Sequence, residues 1–101
     1  MDKRLDLHNK LVEILESKNV YYQPPENTKI EYTAIKYSLG KIESRYANNI
    51  KYSNLNRYDV TVIGRLPNDK IVQKLLELPY SSFDRHYVYN NLNHDVIILY
   101  Y

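Results

Sequence analysis

The chain has 101 residues, which fit one domain, because two hydrophobic cores of viable size would each need roughly 50 residues. It has no cysteine, which excludes disulfides, thiolate metal sites and a cysteine nucleophile, and agrees with folding in a reducing cytoplasm. Its 14 basic and 12 acidic residues are interspersed and leave a net charge of +2, which is typical of solubility rather than of nucleic-acid binding.

The first ten residues mix charges with leucines and predict no signal peptide. The longest apolar runs, such as residues 96–101, are far shorter than the ~20 residues that cross a bilayer, so we expect a soluble protein without a membrane span. Tyrosine is over-represented, with 12 Tyr against one Phe and no Trp. Tyrosine suits strands that a partner half covers, although an AT-rich genome explains the same composition equally well.

An amphipathic helix is predicted over residues 2–18, where six apolar residues fall on one half of a helical wheel: Leu5, Leu7, Leu11, Val12, Ile14 and Leu15. His8 lies inside this apolar arc. No second histidine or carboxylate lies four residues away on that face, so we expect a neutral, hydrogen-bonded histidine rather than a metal ligand. Asn19 can take the left-handed conformation that ends a helix. Pro24 and Pro25 then predict a rigid extended connector, or alternatively a recognition peptide.

A first strand is predicted over residues 30–39, with a change of phase that indicates either a bulge near Ala34 or burial on both faces. Residues 40–56 form a polar stretch, and connections of that length are usually functional or disordered. Two short arms around Asn48 and Asn49 can form a hairpin. We predict a contact arm here, carried by Lys41, Arg45, Tyr46, Asn48, Asn49, Lys51 and Tyr52.

The second half of the chain predicts a strand at 57–65, a short helix that begins near Asn68 and stops at Pro79, and two strands at 83–89 and 95–101 joined by residues 90–94. The order is α-β-(hairpin arm)-β-α-β-β. Such an order predicts a single α+β domain with a mainly antiparallel sheet of about four strands and two helices packed on one face.

Catalytic chemistry is not indicated. Two glycines are too few for a nucleophile elbow, a phosphate-cradling loop or a dinucleotide fingerprint. His86 and His94 lie across the last hairpin with acidic neighbours and can share a metal if they pair in register. Histidine and aspartate are also common at solvent-facing strand and loop positions, which favours a surface role over a metal site. We therefore expect no catalytic residues, no metal and no cofactor.

Six blocks of sequence resemble a family of small proteins encoded in the structural gene block of tailed bacteriophages that infect low-GC Gram-positive bacteria. The blocks are YTAIKYSL at 32–39, YANN at 46–49, RYDVTVI at 57–63, LELPY at 76–80, FDR at 83–85 and NLNHD at 91–95. They keep their order over most of the chain, and none is a chemical signature. The family is that of phage tail terminators, also called tail completion or tail-to-head joining proteins and sometimes named minor capsid proteins.

The resemblance implies a virion protein that forms a closed ring, typically of six copies, on the last ring of the tail tube. There it would end tail polymerisation and form the tail side of the head–tail junction. The partners implied are the chain itself, the major tail tube protein and a head-completion or connector protein. The location implied is the neck of the virion after assembly in the host cytoplasm. We expect no membrane partner and no specific nucleic-acid binding.

Contacts outside the arm are predicted at Arg57 and Arg85, on or beside the sheet, although a solvated strand edge also explains both arginines. Tyr58 and Tyr87 alternate with apolar neighbours, which favours core packing over contact. Three other functions stay open: another small neck or head–tail connector protein of the same phage region, a monomeric adaptor, and a single-stranded RNA-binding module. The sequence pI of 8.7 is below the value expected of the last class.

Overall fold

The computed structural model describes residues 3–40 and 56–101, which form two helices and five strands. In chain order the elements are α1 (Lys3–Leu15), β1 (Val20–Tyr22), β2 (Ala34–Leu39), β3 (Arg57–Gly64), α2 (Asp69–Leu76), β4 (Ser81–Tyr89) and β5 (Leu92–Tyr100). The strands form one sheet in the order β1-β2-β3-β5-β4. The pair β1–β2 is parallel and the other neighbours are antiparallel. The predicted α+β class is therefore confirmed.

The sheet gains a fifth strand because the segment after α1, expected to be only an extended lead into the prolines, pairs with β2. Val20 lies opposite Ile35 and Tyr22 opposite Tyr37 in a parallel register. Valine and tyrosine are among the residues that fit a pleated, half-buried surface best. Three such residues are enough to form an edge strand when another strand lies beside them. They are too few to show an alternation of apolar and polar residues in the sequence.

Two predicted boundaries are corrected by backbone geometry. The residue with a left-handed conformation after α1 is Glu16, with φ 60°, rather than Asn19. The loop between β4 and β5 is shorter than predicted, because Asn90 and Asn91 alone turn the chain, with φ of 54° and 62°. Two consecutive positive φ values are typical of the tight two-residue hairpin turn that asparagine favours. β5 therefore starts at Leu92 rather than at residue 95, so that Leu92, Asn93 and His94 belong to the strand.

Both helices cover the same face of the sheet. Leu7 and Leu11 of α1 and Leu75 of α2 pack against residues from β1, β2, β3 and β5, and all three leucines are buried. The change of phase predicted near Ala34 reflects burial on both faces, because Ala34 and Ile35 point in opposite directions and are both 0% exposed. In the part of the chain that the structure describes, neither helix is long and apolar enough to cross a membrane.

Tyrosine rings form part of this core rather than only its surface. Tyr37 lies on β2 with its ring centroid 4.9 Å from that of Tyr22 and 6.0 Å from that of Tyr58. Tyr37 and Tyr58 are buried, so core packing is confirmed for Tyr58. Tilted ring pairs at these separations are favourable arrangements for aromatic side chains.

A buried polar cluster closes the end of the core beneath α2. The side-chain amide of Asn68, which precedes α2, donates to the carbonyl of Val62 at 3.4 Å and to Oδ2 of Asp95 at 3.3 Å. Asn68 and Asp95 are both buried. Gly64 is essential to this arrangement, because a Cβ at position 64 would lie 2.5 Å from Oδ1 of Asn68. Its lack of a side chain leaves the space that the amide fills.

We therefore expect Gly64→Ala to lower the free energy of unfolding by about 1–3 kcal/mol, since the added methyl displaces an amide that is held by buried partners. Gly40→Ala is the matched control. A Cβ at position 40 meets only the flexible side chain of Arg57, at 3.0–3.2 Å, and should cost less. Urea unfolding of both variants measures the difference, and equal losses would contradict the steric role of Gly64.

Candidate functional site

Strand β4 forms one edge of the sheet, because it pairs with β5 on one side and no described strand pairs with its other side. It is nine residues long, and every residue except the half-buried Ser81 is exposed. At 3.4 Å per residue, such a strand presents an edge of roughly 30 Å of main-chain donors and acceptors. Proteins usually keep edge strands short, so an edge strand of this length is a site where another chain can pair.

A bulge at Asp84 determines which side chains of β4 face which way. Phe83 lies opposite Ile97 and Arg85 lies opposite Val96, so Asp84 is an extra residue without a partner on β5. The bulge reverses the alternation after it. As a result Phe83 faces the helix side, whereas Arg85 faces the opposite side.

The prediction of core packing for Tyr87 is wrong, because the bulge turns its side chain away from the helices and β4 is the edge of the sheet. Tyr87 lies opposite His94 on the helix-free side and is 40% exposed. Val88 and Tyr89 are 62% and 65% exposed. We refer to five exposed residues of this strand as the β4 patch: Phe83, Arg85, Tyr87, Val88 and Tyr89.

The helix-free side of the sheet, which we call the open face, contains a groove of about 350 Å³. Its floor includes Lys36, Thr61 and Ile63, and aromatic rings line its sides. Tyr87 stacks on His94 with 4.6 Å between ring centroids and 11° between ring planes, and Tyr89 meets the same histidine edge-on at 6.4 Å. The groove therefore combines exposed aromatic rings with a lysine and a histidine, and no carboxylate lines it in the described chain.

The structure does not bring the two predicted contact arginines together. Arg57 is half-buried and pairs with Asp59 at 3.3 Å. Arg85 pairs with Asp84 at 2.7 Å, and its guanidinium lies 5.7 Å from the Tyr87 ring centroid. Both face the open side, but they are four residues and two strands apart, or roughly 16 Å. Arg85 belongs to the β4 patch and Arg57 does not.

Residues 41–55 of the predicted contact arm lie outside the described residues, and with them its seven predicted contact residues: Lys41, Arg45, Tyr46, Asn48, Asn49, Lys51 and Tyr52. The site that can be built from the described chain is instead the β4 patch with the adjoining open-face groove. Sequence reasoning missed Val88 and Tyr89 as contact residues. Their position immediately before the Asn90-Asn91 turn could have indicated them. Apolar side chains at such a position are exposed if the strand lies at the edge of its sheet.

His86 and His94 do not share a site. His86 lies opposite Asp95 on the helix side, while His94 lies opposite Tyr87 on the open face, so the sheet separates the two imidazoles. Nδ1 of His86 is 2.7 Å from Oδ1 of Asp95. No group of three or more potential metal ligands occurs within residues 3–40 and 56–101. The carboxylate orients the imidazole, and the amide of Asn68 holds the carboxylate.

His8 has the predicted structural position. Its Nδ1 is 2.7 Å from the Tyr37 hydroxyl, and Nη1 of Arg4 donates to the same hydroxyl at 3.4 Å. Burial lowers the pKa of His8 below its usual 6.5, and the charge of Arg4 lowers it further. Burial also raises the pKa of Tyr37, while Arg4 partly offsets the effect. The hydroxyl therefore stays protonated and donates to a neutral imidazole, which fixes α1 on the sheet.

Comparisons with known proteins matched no family model, no curated protein and no solved structure.

The His8 geometry predicts a pH-dependent stability. Because the pKa is lower in the folded chain, the unfolded chain binds the proton more readily, and stability is lost as the pH falls below 6.5 towards the folded pKa. We expect His8→Gln to remove this component of the loss between pH 7.5 and 5.5 in urea unfolding. His94→Gln keeps the His8–Tyr37 pair and serves as the control. An unchanged pH dependence in His8→Gln would contradict the assignment.

Proposed function

We propose that the chain is a structural subunit of a tailed-bacteriophage virion, where copies of it form a ring on the end of the tail tube. The observation that carries the proposal is β4, a nine-residue edge strand with exposed aromatic and aliphatic side chains. A free edge binds a further strand through main-chain hydrogen bonds, and aromatic residues are enriched at the centres of protein interfaces. Both properties serve assembly rather than turnover.

The resemblance to tail terminators supplies the partners of the proposed ring. The neighbouring copy would occupy one edge, and the major tail tube protein and a head-completion protein would bind the two ends of the ring. A closed ring needs a heterologous interface, in which one patch meets a different patch on the next copy. The two sheet edges of the described chain differ in length, because β1 has three residues and β4 has nine.

The proposal predicts that the purified chain forms rings, with a mass by light scattering of several times the 12.1 kDa of one copy. Val88→Lys places a charge in the β4 patch and should shift the protein to monomers, because an edge lysine opposes strand pairing. Leu66→Lys is the control, since Leu66 is 75% exposed between β3 and α2, away from the β4 edge. It should assemble normally.

Electron microscopy of tail tubes polymerised with and without the chain completes this test. Tubes of controlled length with a capping ring support the proposal. Wild-type protein that stays monomeric at all concentrations and fails to bind tubes would instead favour a monomeric adaptor. Rings that bind only the head-side connector would favour another neck protein of the same phage region.

The open-face groove favours a second candidate function, the binding of single-stranded RNA. Exposed tyrosines on a sheet can stack on unpaired bases, and Lys36 and Arg85 on the same face can approach phosphates. Tyr87 and Tyr89 supply the exposed rings.

If this candidate is correct, the chain binds a uridine oligonucleotide at physiological salt, and Tyr89→Ala weakens binding by about 1–3 kcal/mol through the loss of one stacking partner. Tyr80→Ala is the matched control, because Tyr80 is 47% exposed and does not line the groove. Fluorescence anisotropy measures both. Binding that is absent, or that is equal in the two variants, removes the candidate.

A further inference from the structure

We infer that the contact between copies in the proposed ring joins β4 of one subunit to β1 of the next in an antiparallel pair. The inference rests on the proposed ring and names its interface. It follows from strand direction, side-chain facing and the position of the bulge.

Strand direction permits this contact because of the one parallel pair in the sheet. β1 and β2 run in the same direction, β3 runs opposite to them, β5 runs with them, and β4 runs opposite again. The two edges of the sheet are therefore antiparallel to each other. When a second copy is placed beside the first by rotation about an axis along the strands, its β1 meets β4 in the antiparallel direction. The helices of all copies then lie on the same side, as a closed ring requires.

Side-chain facing limits the register to those in which Tyr21 opposes Arg85, Tyr87 or Tyr89 of the next copy. After the bulge, the stretch from Arg85 to Tyr89 alternates regularly, and Tyr87 faces the open side while Val88 faces the helix side. In β1, Tyr21 lies opposite Lys36 on the open side, and Val20 lies opposite Ile35 on the helix side. Placing Tyr21 opposite Tyr87 of the next copy brings Val20 opposite Val88. Both pairs are of the kind that stabilise antiparallel sheets.

The same bulge restricts the alternative of two β4 strands paired about a twofold axis. Such pairing requires that residues equally distant from the axis face the same side, and with the axis at Arg85, Phe83 on the helix side would oppose Tyr87 on the open side. A symmetric pair is therefore limited to residues 85–89 about an axis at Tyr87. It would close as a dimer, whereas the β4–β1 contact can continue around the proposed ring.

The β4 patch supplies much of the area that a stable contact needs. Phe83, Tyr87 and Tyr89 are between 40% and 65% exposed, and three aromatic side chains at this exposure offer roughly 300 Å². A standard interface buries about 800 Å² per partner, of which these side chains supply roughly a third.

The absence of native cysteine makes a cross-linking test clean. In the double variant Tyr21→Cys/Tyr87→Cys, the two thiols lie on the same face at opposed positions of neighbouring copies. Opposed residues have Cβ atoms about 4.5–5.5 Å apart, close enough for a disulfide after small adjustment. Mild oxidation should give a series of reducible oligomers up to the full ring on a denaturing gel.

The controls separate the contact from the ring itself. Equal mixing of the two single variants should give dimers only, and each single variant alone should give none. The pair Tyr21→Cys/Val88→Cys places the thiols on opposite faces and should link poorly.

Dimers from Tyr87→Cys alone would overturn the inference in favour of symmetric β4 pairing. Rings seen by light scattering without any cross-link would also overturn it while leaving the proposed ring intact, whereas wild-type monomers would defeat both.

Discussion

The rest of the structure depends on the apolar layer between one face of the sheet and the two helices. Leu7, Leu11 and Leu75 fill this layer against the sheet, and the Tyr37 hydroxyl, held by His8, fixes α1 over β2. A chain of this length can build one such layer, and in the described residues both helices are used for it. On the opposite face Ala34, Ile63 and Val96 are also buried, whereas the side chains of β4 stay exposed. The outer edge of β4 pairs with no described strand.

Much of the fold could be predicted from the sequence because its elements are strongly periodic. The apolar arc of α1, the alternation in β3 and the paired asparagines at the last turn each indicate their structure locally. β1 could not be predicted in the same way, since three residues carry no period and the strand exists only because β2 lies beside it. The facing of Tyr87 depends on a single bulged residue, which pattern reasoning does not reveal.

The candidate site was harder to predict than the fold for a related reason. The last hairpin indicates that β4 and β5 are neighbours, but only tertiary packing decides that β5, rather than β4, pairs with β3. That choice places β4 at the edge and exposes Val88 and Tyr89. Arg57 and Arg85 were both predicted to lie on or beside the sheet. The distance between them depends on how β3 and β4 are aligned on β5, which is a long-range property. A site made of an edge and a patch has no motif, because it consists of geometry rather than of reactive groups.

The three core tyrosines have a consequence for observing this molecule. The chain contains no tryptophan, so its near-ultraviolet spectrum comes almost entirely from tyrosine. Tyr22, Tyr37 and Tyr58 form one contiguous chain of rings between the layers, and such asymmetric packing gives tyrosine a circular-dichroism signal that disappears when side chains lose their fixed positions. The protein therefore carries its own optical reporter of specific packing, to which the buried rings of Tyr37 and Tyr58 contribute.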